Sequence, residues 1–131
     1  MAVLAPEDEA GVADAIRTAH REERALELEG GGSRRGLGRP VQTADTLSLR
    51  ALTGVVLYQP GELVIRARAG TPLAEVEATL AEGGQMLPFE PPDWRHLLGN
   101  DDAEPTIGGL VAANLSGPAR IARGALRDSL I

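Results

Sequence analysis

Apolar side chains recur at helical spacing in two parts of the chain. Between the acidic residues 7–9 and about residue 23, three of them fall on one helical face: Val12, Ile16 and Ala19. A second helix is expected after Thr71 as N-cap and Pro72 as first helical residue, with an inward face formed by Leu73, Val76 and Leu80. A shorter helix of small residues is predicted within 106–114.

Strands are predicted where apolar residues alternate with polar ones or are β-branched. The most regular run covers 63–69, and weaker runs cover 26–29, 46–49, 54–58 and 85–87. Residues 126–131, which end on the apolar Leu130 and Ile131, are also expected to form a strand. The Pro-rich, acidic residues 88–105 are expected to form a loop with one turn near Trp94–Leu98. Short strands with two or three helices predict an α+β fold.

Composition favours one globular domain, residues 1–131, and excludes several kinds of site. The chain has 131 residues, 43% of them hydrophobic, and contains no cysteine, which excludes disulfides, thiolate metal sites and iron–sulfur ligation within it. Two histidines are too few for a histidine-rich metal centre, so no metal is expected. No apolar run approaches the roughly 20 residues of a membrane span, and no signal peptide is recognised, so the expected location is the cytoplasm.

The net charge of −6 argues against a nucleic-acid-binding protein, which needs a basic face to displace counterions. Cations are nevertheless concentrated locally, because Arg34, Arg35 and Arg39 lie within residues 30–44, a stretch without any acid. All thirteen cations are arginine, whose planar guanidinium suits phosphate and carboxylate. Genomic base composition is the simpler explanation for that uniformity.

A glycine-rich string follows the predicted strand 26–29, and we call it the glycine loop: Gly30, Gly31, Gly32 and Ser33. Glycine lets backbone N–H groups approach a ligand closely, and successive N–H groups pointing inward bind anions. The three nearby arginines are available to balance the two charges of a diphosphate. A flexible turn is the alternative, and it is the commoner explanation for such a string taken alone.

The remaining candidates are less specific. The chain lacks both the Rossmann spacing G-x-G-x-x-G between strand and helix and the lysine of a P-loop. A second glycine segment, Thr106–Gly109, suits either a ligand lying against the chain or a helix packed closely on a sheet, with neither interpretation favoured. His96 is expected to be solvated, His20 to be structural near a helix end, and Asp101–Asp102 to be a solvated turn.

Taken together, the two glycine segments and the motifs around them resemble the N-terminal half of a PCMH-type, vanillyl-alcohol-oxidase-like FAD-binding domain. More narrowly, the chain resembles the FAD-binding subunits of bacterial glycolate oxidases, which are glycolate dehydrogenases. The resemblance covers nearly the whole chain. Its most specific motifs are LGRPV at 37–41 and GQMLPFEPP at 84–92, and it is also carried by ELVIRARAGTPL at 62–73 and TIGGLVAANLSGP at 106–118.

The resemblance implies a set of residues that contact FAD. The glycine loop would hold the diphosphate, with Gly36 close by, and the second glycine segment would run beside the ribityl chain and the flavin ring. The complete set that it implies is Gly30, Gly31, Gly32, Ser33, Gly36, Pro88, Thr106, Ile107, Gly108, Gly109, Asn114 and Gly117. Because the chain has no cysteine and His96 lies in an unusual loop, we expect FAD to be bound non-covalently.

By the same resemblance, the flavin would oxidise a small 2-hydroxy acid such as glycolate to glyoxylate. Electrons would pass to an iron–sulfur subunit of a complex that also holds a second flavin subunit, through which the protein would sit at the inner membrane. Family members are about three times longer, so we expect this chain to be a fragment whose catalytic residues lie beyond Ile131. The alternatives are a flavoenzyme for D-lactate or another hydroxy acid, a non-catalytic nucleotide-binding or interaction module, and a fragment unable to hold cofactor alone.

Overall fold

Strands of three to five residues form two small sheets in the computed structural model, which describes residues 1–131. Two single turns of 3₁₀-helix lie at Pro60–Glu62 and Leu126–Ser129. The strands and helices follow the order β1 (Ala2–Leu4), α1 (Glu9–Arg21), β2 (Leu26–Glu29), β3 (Asp45–Ser48), β4 (Val55–Gln59), β5 (Val64–Ala67), α2 (Leu73–Glu82), α3 (Arg95–Leu98), α4 (Ile107–Ala113) and α5 (Arg120–Arg123). This mixture confirms the predicted α+β class, with three helices of seven residues or more and two single-turn helices.

The first sheet is parallel and has the order β1-β3-β2, with helix α1 connecting β1 to β2. Strand β2 runs in register with β3 from Leu26 opposite Asp45 to Glu29 opposite Ser48. The Leu49 N–H donates to the carbonyl of Glu29 at 2.8 Å and extends this ladder by one bond. Because neighbouring parallel strands end at the same edge, the segments after Glu29 and after Ser48 lie side by side.

The second sheet is the antiparallel hairpin β4–β5, closed by the 3₁₀ turn at Pro60–Glu62. Its strand β5 contributes Ile65 and Ala67 to the margin of the core. The core itself consists of six buried side chains from the two central helices, the segment between α2 and α3 and the last 3₁₀ turn: Val76, Leu80, Leu87, Phe89, Leu110 and Leu126. Five of these six side chains are aliphatic, since the chain has a single phenylalanine. Removing such apolar side chains from water is the main favourable contribution to the free energy of folding.

Three predictions about local structure are wrong. Residues 85–87 form no strand, because the Gln85 N–H donates to the carbonyl of Leu80 and terminates α2. Residues 126–131 begin with a 3₁₀ turn instead of a strand, since the Asp128 carboxylate accepts from the Ala125 N–H and tightens the chain. Thr71 is not the N-cap of α2, because its fully buried hydroxyl accepts from the Gly54 N–H and donates to the Arg68 carbonyl. Pro72 takes the cap position, one residue before the first helical residue Leu73.

Candidate anion-binding site

The glycine loop and the second glycine segment lie against each other. Gly31 is buried, and a Cβ atom there would overlap the carbonyl oxygen of Glu104. A Cβ on Gly30 would lie 2.5 Å from the hydroxyl oxygen of Thr106. Both positions therefore need glycine for close approach of the chain to itself, and they bring together two segments that are about 75 residues apart in sequence.

The backbone N–H groups of the glycine loop have no acceptor in the protein. None of the five consecutive amides from Gly30 to Arg34 donates a hydrogen bond within the chain. Unpartnered amides are uncommon in folded backbone, and a run of them around a left-handed residue makes a concave anion-binding surface. Gly32 supplies that residue with a φ of +75°. The loop thus has the donor chemistry that the sequence predicts for an anion site.

Arg34 lies between the two glycine segments. Its Nη1 is 3.9 Å from the position a Cβ on Gly109 would take, and its Nη2 donates to the Pro92 carbonyl over a long 3.4 Å. The buried Nε has no hydrogen-bond partner. Burial lowers the pKa of Arg34, and the negative charge of Asp93 partly opposes that shift. A guanidinium that remains charged with an unpaired buried donor is suited to an anion.

The other two predicted arginines differ from Arg34. Arg35 is paired with Glu29, to which its Nε donates at 2.8 Å, and it also approaches Glu27. Arg39 is exposed and forms no ion pair. Of the three cations, only Arg34 lies against the second glycine segment, so it is the cation best placed to balance an anion at the loop.

The second glycine segment has its amides engaged. The N–H groups of Ile107 and Gly108 donate to Thr71 and Ala69 at 3.0 and 2.9 Å, and the Gly109 N–H donates to the Thr106 hydroxyl at 3.2 Å. A Cβ on Gly108 would come within 2.6 Å of the Ala69 carbonyl oxygen, so α4 packs closely on the chain after β5. Packing accounts for Gly108, and contact of Thr106, Ile107, Gly108 and Gly109 with a ligand stays a prediction.

Four further predicted residues lie elsewhere on the chain. Gly117 is buried beneath Glu90, whose carboxylate accepts from the Ala119 N–H at 2.7 Å. Asn114 ends α4 in the left-handed conformation and is exposed. Gly36 and Pro88 are exposed, and no hydrogen bond joins either of them to the glycine loop. Ligand contact at these four positions also stays a prediction.

A cavity of about 260 Å³ opens on one side of the glycine loop. Its lining includes Glu29, Asp101 and Asp102 together with Arg35 and Arg50. Gly31 and Gly32 also border this cavity, and three carboxylates against two arginines leave its lining with a net charge of −1, which disfavours a diphosphate. His96, whose side chain is 97% exposed, lies outside it with Nδ1 3.5 Å from Asp101. No three histidine or acidic side chains cluster to hold a metal, and no helix is long and apolar enough to span a bilayer.

Two residues at this site escape local sequence analysis. Arg50 donates to the carbonyls of Gly30 and Gly31 at 3.2 and 2.6 Å, and Glu104 receives the close approach of Gly31. Neither has a motif around it, because its place depends on how distant segments pair. The parallel pairing of β2 with β3, had it been predicted, would have brought Arg50 beside the loop.

A glycine loop whose amides have no acceptor in the chain is suited to the phosphate groups of a nucleotide. The chain matches the FAD-binding domain family over residues 1–131, and it belongs to that family. It is 47% identical over 106 residues to the glycolate oxidase subunit GlcE of Escherichia coli strain K12, an alignment that covers 81% of this chain and 28% of that protein. The chain thus spans little more than a quarter of that relative.

Solved structures show the same fold. Two crystal forms of alkyldihydroxyacetonephosphate synthase superpose on 96% of this chain with TM-scores of 0.74 and 0.72. The sequence identities are 22% and 23%, and the matched part is 23% and 24% of the synthase chain. The family match and the relative confirm the predicted resemblance to a PCMH-type FAD-binding domain and the assignment of FAD as cofactor. The solved structures confirm the fold.

Proposed function

We propose that the glycine loop and Arg34 hold the diphosphate of non-covalently bound FAD, and that the chain is the FAD-binding part of a 2-hydroxy-acid oxidoreductase. One observation carries the assignment: five consecutive amides without an acceptor lie next to a buried, unpartnered guanidinium nitrogen. FAD is the anionic ligand of the family to which the chain belongs. When bound, its flavin accepts a hydride, while the protein supplies position and electrostatics.

The charge distribution supports this placement. A diphosphate carries two negative charges, and a protein of net charge −6 needs a local positive field to hold it. Arg34 supplies a full charge and the loop amides supply partial charges. Hydrogen bonds to charged groups contribute roughly 1.5–3 kcal/mol each, so three or four of them anchor the dinucleotide. In the cavity lined by Glu29, Asp101 and Asp102, the carboxylates disfavour binding of the diphosphate.

Glycolate is the proposed substrate of the whole enzyme, with glyoxylate as product. The support is the 47% identity to a glycolate oxidase subunit, and D-lactate or another 2-hydroxy acid is the alternative. The proposal includes transfer of electrons to an iron–sulfur subunit, a second flavin subunit in the same complex, and a cytoplasmic location at the inner membrane. None of the 131 residues is assigned a role in substrate chemistry.

The cofactor proposal is tested by titrating the apoprotein with FAD and following flavin fluorescence. Arg34→Met should weaken FAD binding about tenfold to a hundredfold, since one charge-assisted contact is lost. Arg39→Met is the matched control, because it removes an exposed arginine of the same cluster, and it should bind FAD like the wild type. Gly31→Val cannot serve here, since its side chain would collide with Glu104 whether or not a ligand binds.

Three outcomes would reject the assignment: no binding of FAD by the wild type, equal losses in the two arginine variants, or no competition by ADP, which carries the same diphosphate. Release of FAD on acid denaturation would support non-covalent attachment. Glycolate-dependent reduction of a dye by the complete assembly, compared with D-lactate, tests the substrate separately.

A further inference from the structure

We propose that Arg50 is a positioning residue for the diphosphate site: by binding two carbonyl groups of the glycine loop, it turns the next two amides toward the ligand. This inference rests on the proposed function. Arg50 follows strand β3, forms no ion pair, and directs its guanidinium at the loop. Its Nε donates to the Gly30 carbonyl at 3.2 Å and its Nη2 donates to the Gly31 carbonyl at 2.6 Å.

Because the peptide bond is planar, the contacts of Arg50 with the two carbonyls also determine where the following two N–H groups point. The chain contains no cis peptide, and in a planar trans peptide the C=O of one residue and the N–H of the next point in opposite directions. Because the Gly30 and Gly31 carbonyls face Arg50, the N–H groups of Gly31 and Gly32 face away from it. Arg50 therefore fixes the orientation of two donors that it does not touch.

The side of the loop on which Arg50 lies argues against direct contact with a phosphate. The cavity that Arg50 lines holds three carboxylates against two arginines, a net charge of −1 that disfavours an anion, and Gly31 and Gly32 also border it. The N–H groups of Gly31 and Gly32 point away from Arg50, so a phosphate bound to them would lie on the far side of the loop from its guanidinium. Arg50 thus acts through the backbone.

Glycine makes such a clamp necessary. A Gly-Gly peptide rotates between alternative orientations at little cost, so an unclamped loop would present carbonyls and amides in turn. A loop whose amides are already aimed loses less entropy when it binds an anion. The two-point donation by a planar guanidinium is suited to hold adjacent carbonyls, and a single ammonium group reproduces it only in part.

The test compares Arg50→Met, Arg50→Lys and Arg50→Gln with the wild type by FAD titration, at a temperature where circular dichroism shows every protein folded. Arg50→Met should weaken FAD binding about tenfold or more, and Lys should restore part of the loss. Gln, which keeps N–H donors without charge, should also bind better than Met. Arg66→Met removes an exposed guanidinium from strand β5, away from the glycine loop, and it should leave FAD binding unchanged.

Backbone NMR distinguishes a positioning role from a purely structural one, because it reports on the individual amides of the glycine loop. In the wild type, ADP should shift the amide resonances of Gly31 and Gly32, and in Arg50→Met those ADP-induced shifts should largely disappear while the rest of the spectrum is retained. Unchanged FAD affinity in folded Arg50→Met would overturn the inference. So would ADP-induced shifts of Gly31 and Gly32 that persist in Arg50→Met, because these amides would then be aimed without Arg50.

The two proposals fail in different ways. If Arg34→Met weakens FAD binding and Arg50→Met does not, the proposed diphosphate site is supported and the positioning role of Arg50 is rejected. If the wild type binds no FAD, the site itself is wrong and the role of Arg50 falls with it.

Discussion

The two glycine segments of this protein touch each other but differ in what their amides do. In the glycine loop, the amides of residues 30–34 have no acceptor within the chain. In the second segment, Ile107, Gly108 and Gly109 each donate to a neighbouring carbonyl or hydroxyl. The amides of the glycine loop are thus available to a ligand, whereas those of the second segment are used in capping and packing.

The difference lies in which element follows each segment. Residues 106–109 begin helix α4, where the Thr106 hydroxyl caps the Gly109 amide and the β5–α2 connection accepts the amides before it. The glycine loop leads into turns without a helix, so nothing in the chain competes with a ligand for its donors. Glycine content alone therefore does not distinguish a ligand-binding segment from a packing segment, whereas the hydrogen-bond partners of the amides do.

The largest effect is expected at Gly108, where glycine serves packing. Gly108→Val should lower the free energy of unfolding by about 3 kcal/mol or more, because its Cβ would lie 2.6 Å from the Ala69 carbonyl oxygen in a tightly packed contact. Urea unfolding measures the change. Gly61→Ala is the control, since a Cβ there meets nothing within 4 Å, and it should change stability little. Equal stability of the two variants would contradict the packing role.

The next effect concerns Gly32, where glycine serves the turn of the glycine loop. Gly32→Ala should cost about 1–2 kcal/mol because its φ is +75°, and Gly84→Ala, at a φ of +67°, should cost about the same. Only Gly32→Ala should also weaken FAD binding, by about tenfold, because the loop amides turn as the strain is relieved. Thermal unfolding and FAD titration of both variants measure these changes. Matching losses of affinity in the two variants would show that the effect is not specific to the glycine loop.

A third variant makes the second segment more like the first. Thr106→Val removes the hydroxyl that accepts the Gly109 N–H and should cost about 1 kcal/mol of unfolding free energy, a common value for a lost N-cap. Thr106→Ser keeps the hydroxyl and should recover most of the loss. Hydrogen exchange at Gly109 should be faster in the valine variant, and an unchanged rate would show that the cap does not protect this amide.

The smallest effect is the pH dependence that comes from Asp93, next to Arg34. Hydrogen bonds from Arg95 lower the pKa of Asp93 from 3.8 to about 2. A carboxyl with a lowered pKa stabilises the fold fully above about pH 4, and this contribution disappears as the pH falls toward 2. Asp93→Asn should therefore be slightly less stable than wild type at pH 6, and the two should converge near pH 2. A constant difference in thermal midpoint over that range would contradict the assignment.

Much of the fold could be predicted from local patterns. The spacing of Val12, Ile16 and Ala19 predicts helix α1, and the β-branched run at 63–69 predicts strand β5, which the structure shows at Val64–Ala67. The short strand β1 was not predicted, since three residues carry too little periodicity. Residues 126–131 end on two apolar residues and were expected to form a strand, but the hydrogen bond from the Ala125 N–H to the Asp128 carboxylate makes the segment begin with a turn.

The site was only half accessible to the same reasoning. The glycine loop and the importance of a nearby arginine follow from residue types, but the choice of Arg34 over Arg35 depends on the position of Glu29 in the folded protein. Arg50 is invisible in the local sequence, because the β2–β3 register brings it 20 residues back along the chain to Gly30. Long-range pairing, not composition, decides these contacts.

The ladder bond from the Leu49 N–H to the Glu29 carbonyl lies directly between the two strand ends that carry Gly30 and Arg50. Opening of this bond should loosen the contact between Arg50 and the glycine loop. The hydrogen-exchange rate of the Leu49 amide therefore reports how often these two strand ends separate. If FAD binds the glycine loop as proposed, it should lower this rate as its occupancy rises.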